Sequence, residues 1–257
     1  MKRKITLASI ITTALLTNGI IIFAQQNPET DSKGKDYKNV IRYNLSGALL
    51  FGLDKFIILG YERVLSPKRS ISLNVGAAAF PKLVAINTDS FSLNQDRENK
   101  GYNISVDYRF YLSKENKFKA PHGVYIGPYY SFNRFERTND WNFLGAGAVN
   151  KVAASNTKFS IHTVGMEMGY QFVFWNRVTL DMVLIGPGLG FYDVKAKLEG
   201  NLDEEDKEQL YEALTELITQ KFPGMNFVFA DDELDGNGAL RTTSIGFRYL
   251  IHIGFRF

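Results

Sequence analysis

The side chains that could carry chemistry are few and scattered. The three histidines lack a serine and a carboxylate at spacings that would assemble a nucleophile, its base and an orienting acid. His122 falls in a turn, His162 on an apolar face, and His252 on an inward face near the periplasmic end of its strand. Cysteine is absent, which removes disulfides, thiolate metal sites, thiol catalysis and the lipidated cysteine of a lipoprotein anchor. Asp231, Glu233, Asp235 and Gly236 resemble the start of a calcium loop, but Thr242 stands where a terminal bidentate glutamate belongs, so a solvated acidic turn is the better account. Gly186, Gly188 and Gly190 imitate a phosphate loop without the following helix that supplies the anion site; glycines easing a bend in a strand explain them. No catalytic residue, cofactor or metal is therefore expected. What remains is a nearly balanced set of isolated charges, Arg42, Arg109, Arg248 and Arg256 against Glu62, Asp107, Glu167 and Asp181.

Those charges sit in segments of period two, the mark of strands with two chemically different faces. Residues 40–51 set Ile41, Tyr43, Leu45, Gly47, Leu49 and Phe51 against Arg42, Asn44, Ser46 and Ala48. The same alternation runs through 55–65, 70–80, 101–112, a strand from 123 with an irregularity expected at Pro128, 158–174 and 177–192. It is most regular in 241–257, where Ile245, Phe247, Tyr249, Ile251, Ile253, Phe255 and Phe257 share one face. Eight strands of about ten residues match the smallest common transmembrane barrel. The connections fit too. Turns at 66–69, 113–122 and 175–176 are short or moderate, whereas of the four connections at the other end, 52–54, 81–100, 137–157 and 193–240, three are long, the asymmetry expected between periplasmic and extracellular ends.

Period two does not by itself separate a membrane barrel from a soluble one. The polar face does: it is mostly Gly, Ala, Ser and Asn with single charges, which suits a crowded lumen and not a solvated surface. The eight charged residues named above are accordingly expected to form an ion-pair network inside the barrel. Arg63, on the apolar face, is tolerable near a membrane boundary. The expected fold is all-β, an eight-stranded antiparallel up-and-down transmembrane barrel with a helical insertion in its last extracellular loop.

That helix, expected over 203–222, carries acids in its first turn and an apolar stripe of Leu210, Leu214, Leu217 and Ile218. The stripe either docks a partner or packs on the barrel's own loops, with the second favoured because those loops are nearest. At the other end of the chain, Lys2, Arg3 and Lys4 precede an apolar run to Phe23, so residues 1–24 are expected to be an export signal cleaved near Ala24. A flexible periplasmic tail, 25–39, is expected before the barrel, 40–257.

The terminal strand from Arg248 to Phe257, with its aromatic last residue, resembles those of bacterial outer-membrane β-barrels of the OmpA-like type. Tyr61-Glu62 and Tyr108-Arg109-Phe110-Tyr111 look like a poorly characterised family of small outer-membrane barrels. The resemblance implies an outer-membrane location and a terminal strand, with Tyr249, Phe255 and Phe257, that the barrel-assembly machinery reads during insertion. The chain departs from the full OmpA pattern by ending at Phe257, so no periplasmic peptidoglycan-binding domain is expected. The formal charge of +3 argues against a nucleic-acid partner. The expected role is non-enzymatic, structural or interactive through extracellular loops toward an unknown protein partner; a subunit of an envelope assembly is one form of it. A lipid-modifying enzyme and a narrow channel are the alternatives.

Overall fold

Alternating side chains are answered by a ring of antiparallel ladders in the computed structural model, which describes residues 37–52, 55–79, 91–112, 114, 116–145, 149–200, 202–221 and 238–257. The export signal, residues 25–36 of the tail and the calcium-like segment lie outside the described residues. In chain order the elements are β1 (Asn39–Asn44), α1 (Leu45–Phe51), β2 (Phe56–Ser66), β3 (Arg69–Ala78), β4 (Phe91–Tyr111), β5 (Gly123–Gly145) and β6 (Val149–Phe174). There follow β7 (Val178–Ile185), β8 (Pro187–Gly200), α2 (Glu204–Lys221), β9 (Ala239–Phe247) and β10 (Leu250–Arg256). Each strand pairs with its neighbour, and β1 pairs with both β2 and β10, so the sheet closes on itself. β7 with β8, and β9 with β10, each make one wall, which gives an eight-walled barrel.

The faces sort as an inverted globule. Outward residues such as Leu59, Leu73, Val106, Met166, Ile253 and Phe255 are exposed, whereas inward Glu62, Ser70, Ser72, Asn74, Asp107 and Arg109 are buried. A one-residue slip would exchange the two sets, so this contrast fixes the register of every ladder. Close approach inside needs glycine, as Gly60 and Gly169 show. A Cβ on Gly60 would stand 2.3 Å from Asn74 Oδ1 and 2.8 Å from Arg42 Cγ, and one on Gly169 would stand 2.4 Å from the Tyr125 hydroxyl.

The structure corrects several boundaries. The first strand ends at Asn44 instead of continuing to Phe51, because the Asn44 side chain accepts from Gly47 N and caps α1, which Gly52 ends at φ 105°. Residues 91–100 and most of 137–157 are strand and not loop: β4 pairs Phe91 with Phe143, and β5 pairs Gly145 with Val149. Here backbone hydrogen bonds hold the ladder while the apolar residues are few and no longer alternate, so the hydrophobic pattern falls silent. Likewise, of the expected 193–240 loop, β8 takes the start and β9 the end. Pro128 interrupts the ladder to β4 between Asp107↔Tyr129 and Phe110↔Ile126 yet keeps the register. The strand expected to be most regular is broken between β9 and β10. Opposite that break, Gly186 separates β7 from β8 and accepts from Arg248 N at 2.8 Å. Three steps along one wall there, Phe247 to Leu250, meet four along the other, Pro187 to Val183, which is a bulge.

At the opposite end the turns are tight. Trp175 and Asn176 both have positive φ, 50° and 56°, and Arg177 N donates to Phe174 O, a two-residue hairpin between β6 and β7. In α2, Asp203 Oδ1 accepts from Asp206 N at 2.9 Å while Asp206 Oδ2 accepts from Asp203 N, a reciprocal cap. Leu210 and Leu214 are buried, and Tyr211 OH donates to Ala196 O of β8, so this part of the stripe faces the chain itself. The side chains of Leu217 and Ile218 lie outside the described ones.

Replacing Gly60 with Ala is expected to lower the unfolding free energy by about 1–3 kcal/mol, the cost of overpacking a filled interior. Gly246→Ala, whose Cβ would find its nearest neighbour at 3.9 Å, is the control expected to change little. Urea unfolding of the two variants in detergent, read by tryptophan fluorescence, separates them.

Candidate functional site

The inward positions of seven strands, β1 to β7, converge on one buried polar cluster. Arg42 of β1 donates from Nη1 to Asp181 Oδ2 at 3.0 Å, from Nη2 to Asp107 Oδ2 at 3.1 Å and to Ser72 Oγ at 2.7 Å, and from Nε to Asn74 Oδ1 at 3.1 Å. Arg109 of β4 lies 2.9 Å from Asp181 and 3.3 Å from Glu167, with its guanidinium 4.3 Å above the Tyr125 ring. Arg248, freed to reach inward by the break between β9 and β10, pairs with both Asp107 and Glu167 and stacks 4.0 Å from the Tyr129 ring. Glu62 of β2 accepts from Ser70 Oγ at 2.6 Å and Tyr111 OH at 3.1 Å through Oε1, and from Gln171 at 3.1 Å through Oε2.

Three guanidiniums thus face four carboxylates. Each ion would be prohibitively costly alone in a dry interior, and together they offset one another. Arginine suits the task because its planar fork reaches several acceptors at once and stays charged. The fourth arginine expected here, Arg256, is buried but placed elsewhere, donating to Asn176 Oδ1 at 3.0 Å and to Tyr37 O at 2.9 Å near the tight turns. Its register next to the chain's end sets it beyond reach of the carboxylates: Arg256 pairs with Val40, whereas Arg42 pairs with Gly254.

His252 also requires correction. It does not sit near the end of the barrel but beside the cluster, with Nδ1 3.3 Å from Asp181 Oδ2, because β10 places it opposite both Asn44 and Asp181. The two are 71 positions apart along the chain, a separation that local spacing does not reveal. Ser70, Ser72, Asn74, Tyr111 and Gln171 also belong to the site; Tyr111 and Gln171 share the inward parity of the charges on β4 and β6, whereas β3 has no inward charge to single out its serines and asparagine. Above the cluster lies a cavity of about 330 Å³, lined by Asn74, Asn103, Ser105, Ser131, Tyr129 and His252 among others. Among the described residues no group of three or more ligating side chains is placed to hold a metal ion.

Chemically, the cluster plugs the lower lumen. Its carboxylates are held by guanidiniums, hydroxyls and amides, which suits a fixed electrostatic core better than proton transfer to a substrate. Tyr125 OH, for instance, donates to Asp181 Oδ1 at 2.7 Å. The other two histidines stand apart. Tyr130 OH lies 2.8 Å from His162 Nδ1 on the outer face, and the His122 ring stacks on Phe118 at 4.1 Å.

Fold and lumen together define a closed eight-walled β-barrel with an apolar exterior and an ionic interior. The chain belongs to the DUF3575 family of proteins of unknown function, whose family model matches residues 49–216, well over half of its length. Among solved structures, the crystal structure of a major outer membrane protein from Thermus thermophilus is 11% identical with a TM-score of 0.35, covering 87% of this chain and 100% of that one. No curated protein matches the sequence. The fold as described rests on the chain's own ladders.

Arg109→Met leaves buried carboxylates under-compensated and is expected to cost about 3–5 kcal/mol of stability. Arg241→Gln removes a surface pair with Asp193 at 3.0 Å and is expected to cost less than about 1 kcal/mol. Denaturant midpoints measured side by side decide this. A second expectation concerns pH. Burial, then the nearby Arg256, pushes the His122 ring down to about 4. A depressed histidine stays neutral in the fold while the unfolded chain takes up a proton, so its contribution is lost as pH falls from about 6.5 through 4. His122→Gln should flatten the unfolding midpoint across that window.

Proposed function

We propose that this protein is an integral outer-membrane barrel of the small OmpA-like kind, exported by a signal cleaved near Ala24 and made in a Gram-negative envelope. It acts by structure and contact, without turnover and without conducting. The observation that carries this reading is the ring of exposed apolar residues on the outer face of every wall, from Ile41 and Leu59 on β1 and β2 round to Met166, Leu189 and Ile253. In water such a surface would aggregate; in a bilayer it is the solvated one.

Aromatic rings support the same placement. Phe110, Tyr170, Phe172, Phe174, Trp175 and Phe257 cluster at the end with tight turns, and Tyr102, Tyr130, Phe132, Phe191 and Phe247 toward the other, as girdles at two interfaces would. Beyond the second girdle the exposed positions turn polar, with Arg134, Lys195, Lys197 and Arg241, which suits strands rising past the headgroups. Those extensions of β4, β5, β6, β8 and β9, with α2, are the surface we assign to an unknown protein partner. Burial of Leu210 and Leu214 moves that role away from the helix stripe.

The interior supports a non-conducting reading, since eight walls leave a lumen that side chains fill. Tyr249, Phe255 and Phe257 project outward on the closing wall, available to the assembly machinery before Phe257 N and Asn39 O complete the ring at 2.9 Å.

Membrane fractionation with a heated-versus-unheated gel tests the proposal: the mature protein should be membrane-bound and migrate differently when unheated, and a wholly soluble protein would sink it. Planar-bilayer recording should show no conductance steps; steps would return the channel reading. Removing Phe257 is expected to slow insertion several-fold without altering export, measured as the heat-shifted fraction over time after induction.

A further inference from the structure

The ring of ladders is incomplete on one side of the lumen cavity. β1 pairs with β10 only from Val40↔Arg256 to Asn44↔His252, and with β2 only from Asn39↔Arg63 to Tyr43↔Leu59. Past Asn44 the chain coils into α1, so no strand of the described residues stands between the upper part of β2 and the β9 side of the last wall. Side chains flanking this seam are among the most exposed on the barrel: Leu49 is 74% exposed, Ile245 66%, Phe247 61% and Tyr249 62%. They continue the apolar band, which places the seam within the outer half of the membrane-facing surface.

Behind the seam lies the cavity of about 330 Å³, whose lining includes Ser46 and Gly47 of α1, Phe56 of β2, and Phe247, Tyr249 and Leu250 beside the break. Its interior is amide and hydroxyl, with Asn74, Asn103, Ser105 and Ser131 nearly or fully buried. At its floor, His252 is 2% exposed and its Nε2 has no hydrogen-bond partner among the described residues. A buried polar atom left this way is a cost that a ligand's hydroxyl would relieve. The cation that lines the site, Arg248, is charge-balanced by Asp107 and Glu167, which an added phosphate would face at close range, although Arg248 Nε has no hydrogen-bond partner among the described residues.

We propose that the seam is a lateral doorway from the outer leaflet into this cavity, that α1 is its lid, and that the occupant is the neutral, hydroxyl-rich head group of a glycosylated lipid. The volume suits one sugar-sized group. The apolar rim leaves the lipid's chains in the bilayer while the head reaches the amides and His252. The lid is held lightly, by Ser46 Oγ accepting from Ile251 N at 2.6 Å and by the cap on Gly47 N. Its sequence also alternates as a strand through Phe51, so it has a second way to lie.

This inference rests on the outer-membrane reading. The test uses the folded full-length barrel in phosphatidylcholine nanodiscs, and failure to enter the discs would defeat that reading, whereas entry without binding defeats only this one. The His252 ring resonances, assigned by loss in His252→Gln, should move when the discs contain monoglucosyl diacylglycerol and stay put with methyl glucoside in the buffer. A Cβ on Gly47 would lie 3.3 Å from Phe56 Cβ, close to disulfide range, so Gly47→Cys with Phe56→Cys pins the lid in a chain that has no other cysteine. Oxidation should abolish the glycolipid shift and reduction restore it. No shift in the wild type, an equal shift with methyl glucoside, or a shift unaffected by the closed disulfide would each overturn the proposal.

Discussion

Everything in this barrel depends on burying three guanidiniums and four carboxylates at the centre of a sheet that faces outward with its apolar side. Arg42, Arg109 and Arg248 draw acceptors from β2, β4, β6 and β7, so the cluster ties together strands, such as β2, β4 and β6, that do not pair with one another. A globular domain gains stability by hiding hydrocarbon, but here the hydrocarbon faces out and the interior must hold by electrostatics and hydrogen bonds. Such interactions are strong only where water is excluded and partners are complete. Missing any one partner would leave its opposite ion stranded, and that dependence makes the inward residues far less replaceable than the outward ones.

The cluster also divides the lumen. Below it the tight turns, Arg256 and the Tyr37 backbone close the barrel's end. Above it the packing loosens into a polar cavity, the walls become uneven, and one strand gives way to a helix. The break at Gly186 and Arg248 belongs to this transition: by bulging the wall it lets Arg248 turn into the lumen, and it also leaves β9 out of register with β10. One irregularity therefore serves both the sealed lower half and the open upper half.

Much of this architecture was legible in the chain. The alternation identified all eight walls, and the charges on their quieter face include the seven that the structure brings into one cluster. Errors fell where the rule behind the alternation stops applying. Above the apolar band the upper parts of β4, β5 and β6 carry scattered apolar residues without sustained alternation, so backbone pairing continues there without a periodic signal and reads as loop. At Leu45–Phe51 the alternation persists although the chain is helical, because Asn44 offers a local cap that a period count does not weigh. Arg256 went astray because parity gives the face of a residue and not its height.

The sequence by itself determined which side of each strand is apolar, how many walls there are, and that the charges must face one another, since strand geometry alternates with a fixed period of two. Tertiary structure decided which charges meet. That choice depends on register and on the tilt of neighbouring strands, quantities set by ladders between residues far apart in the chain. It placed His252 against Asp181, left Arg256 at the turn end, and opened a seam where β1 falls short of its neighbours.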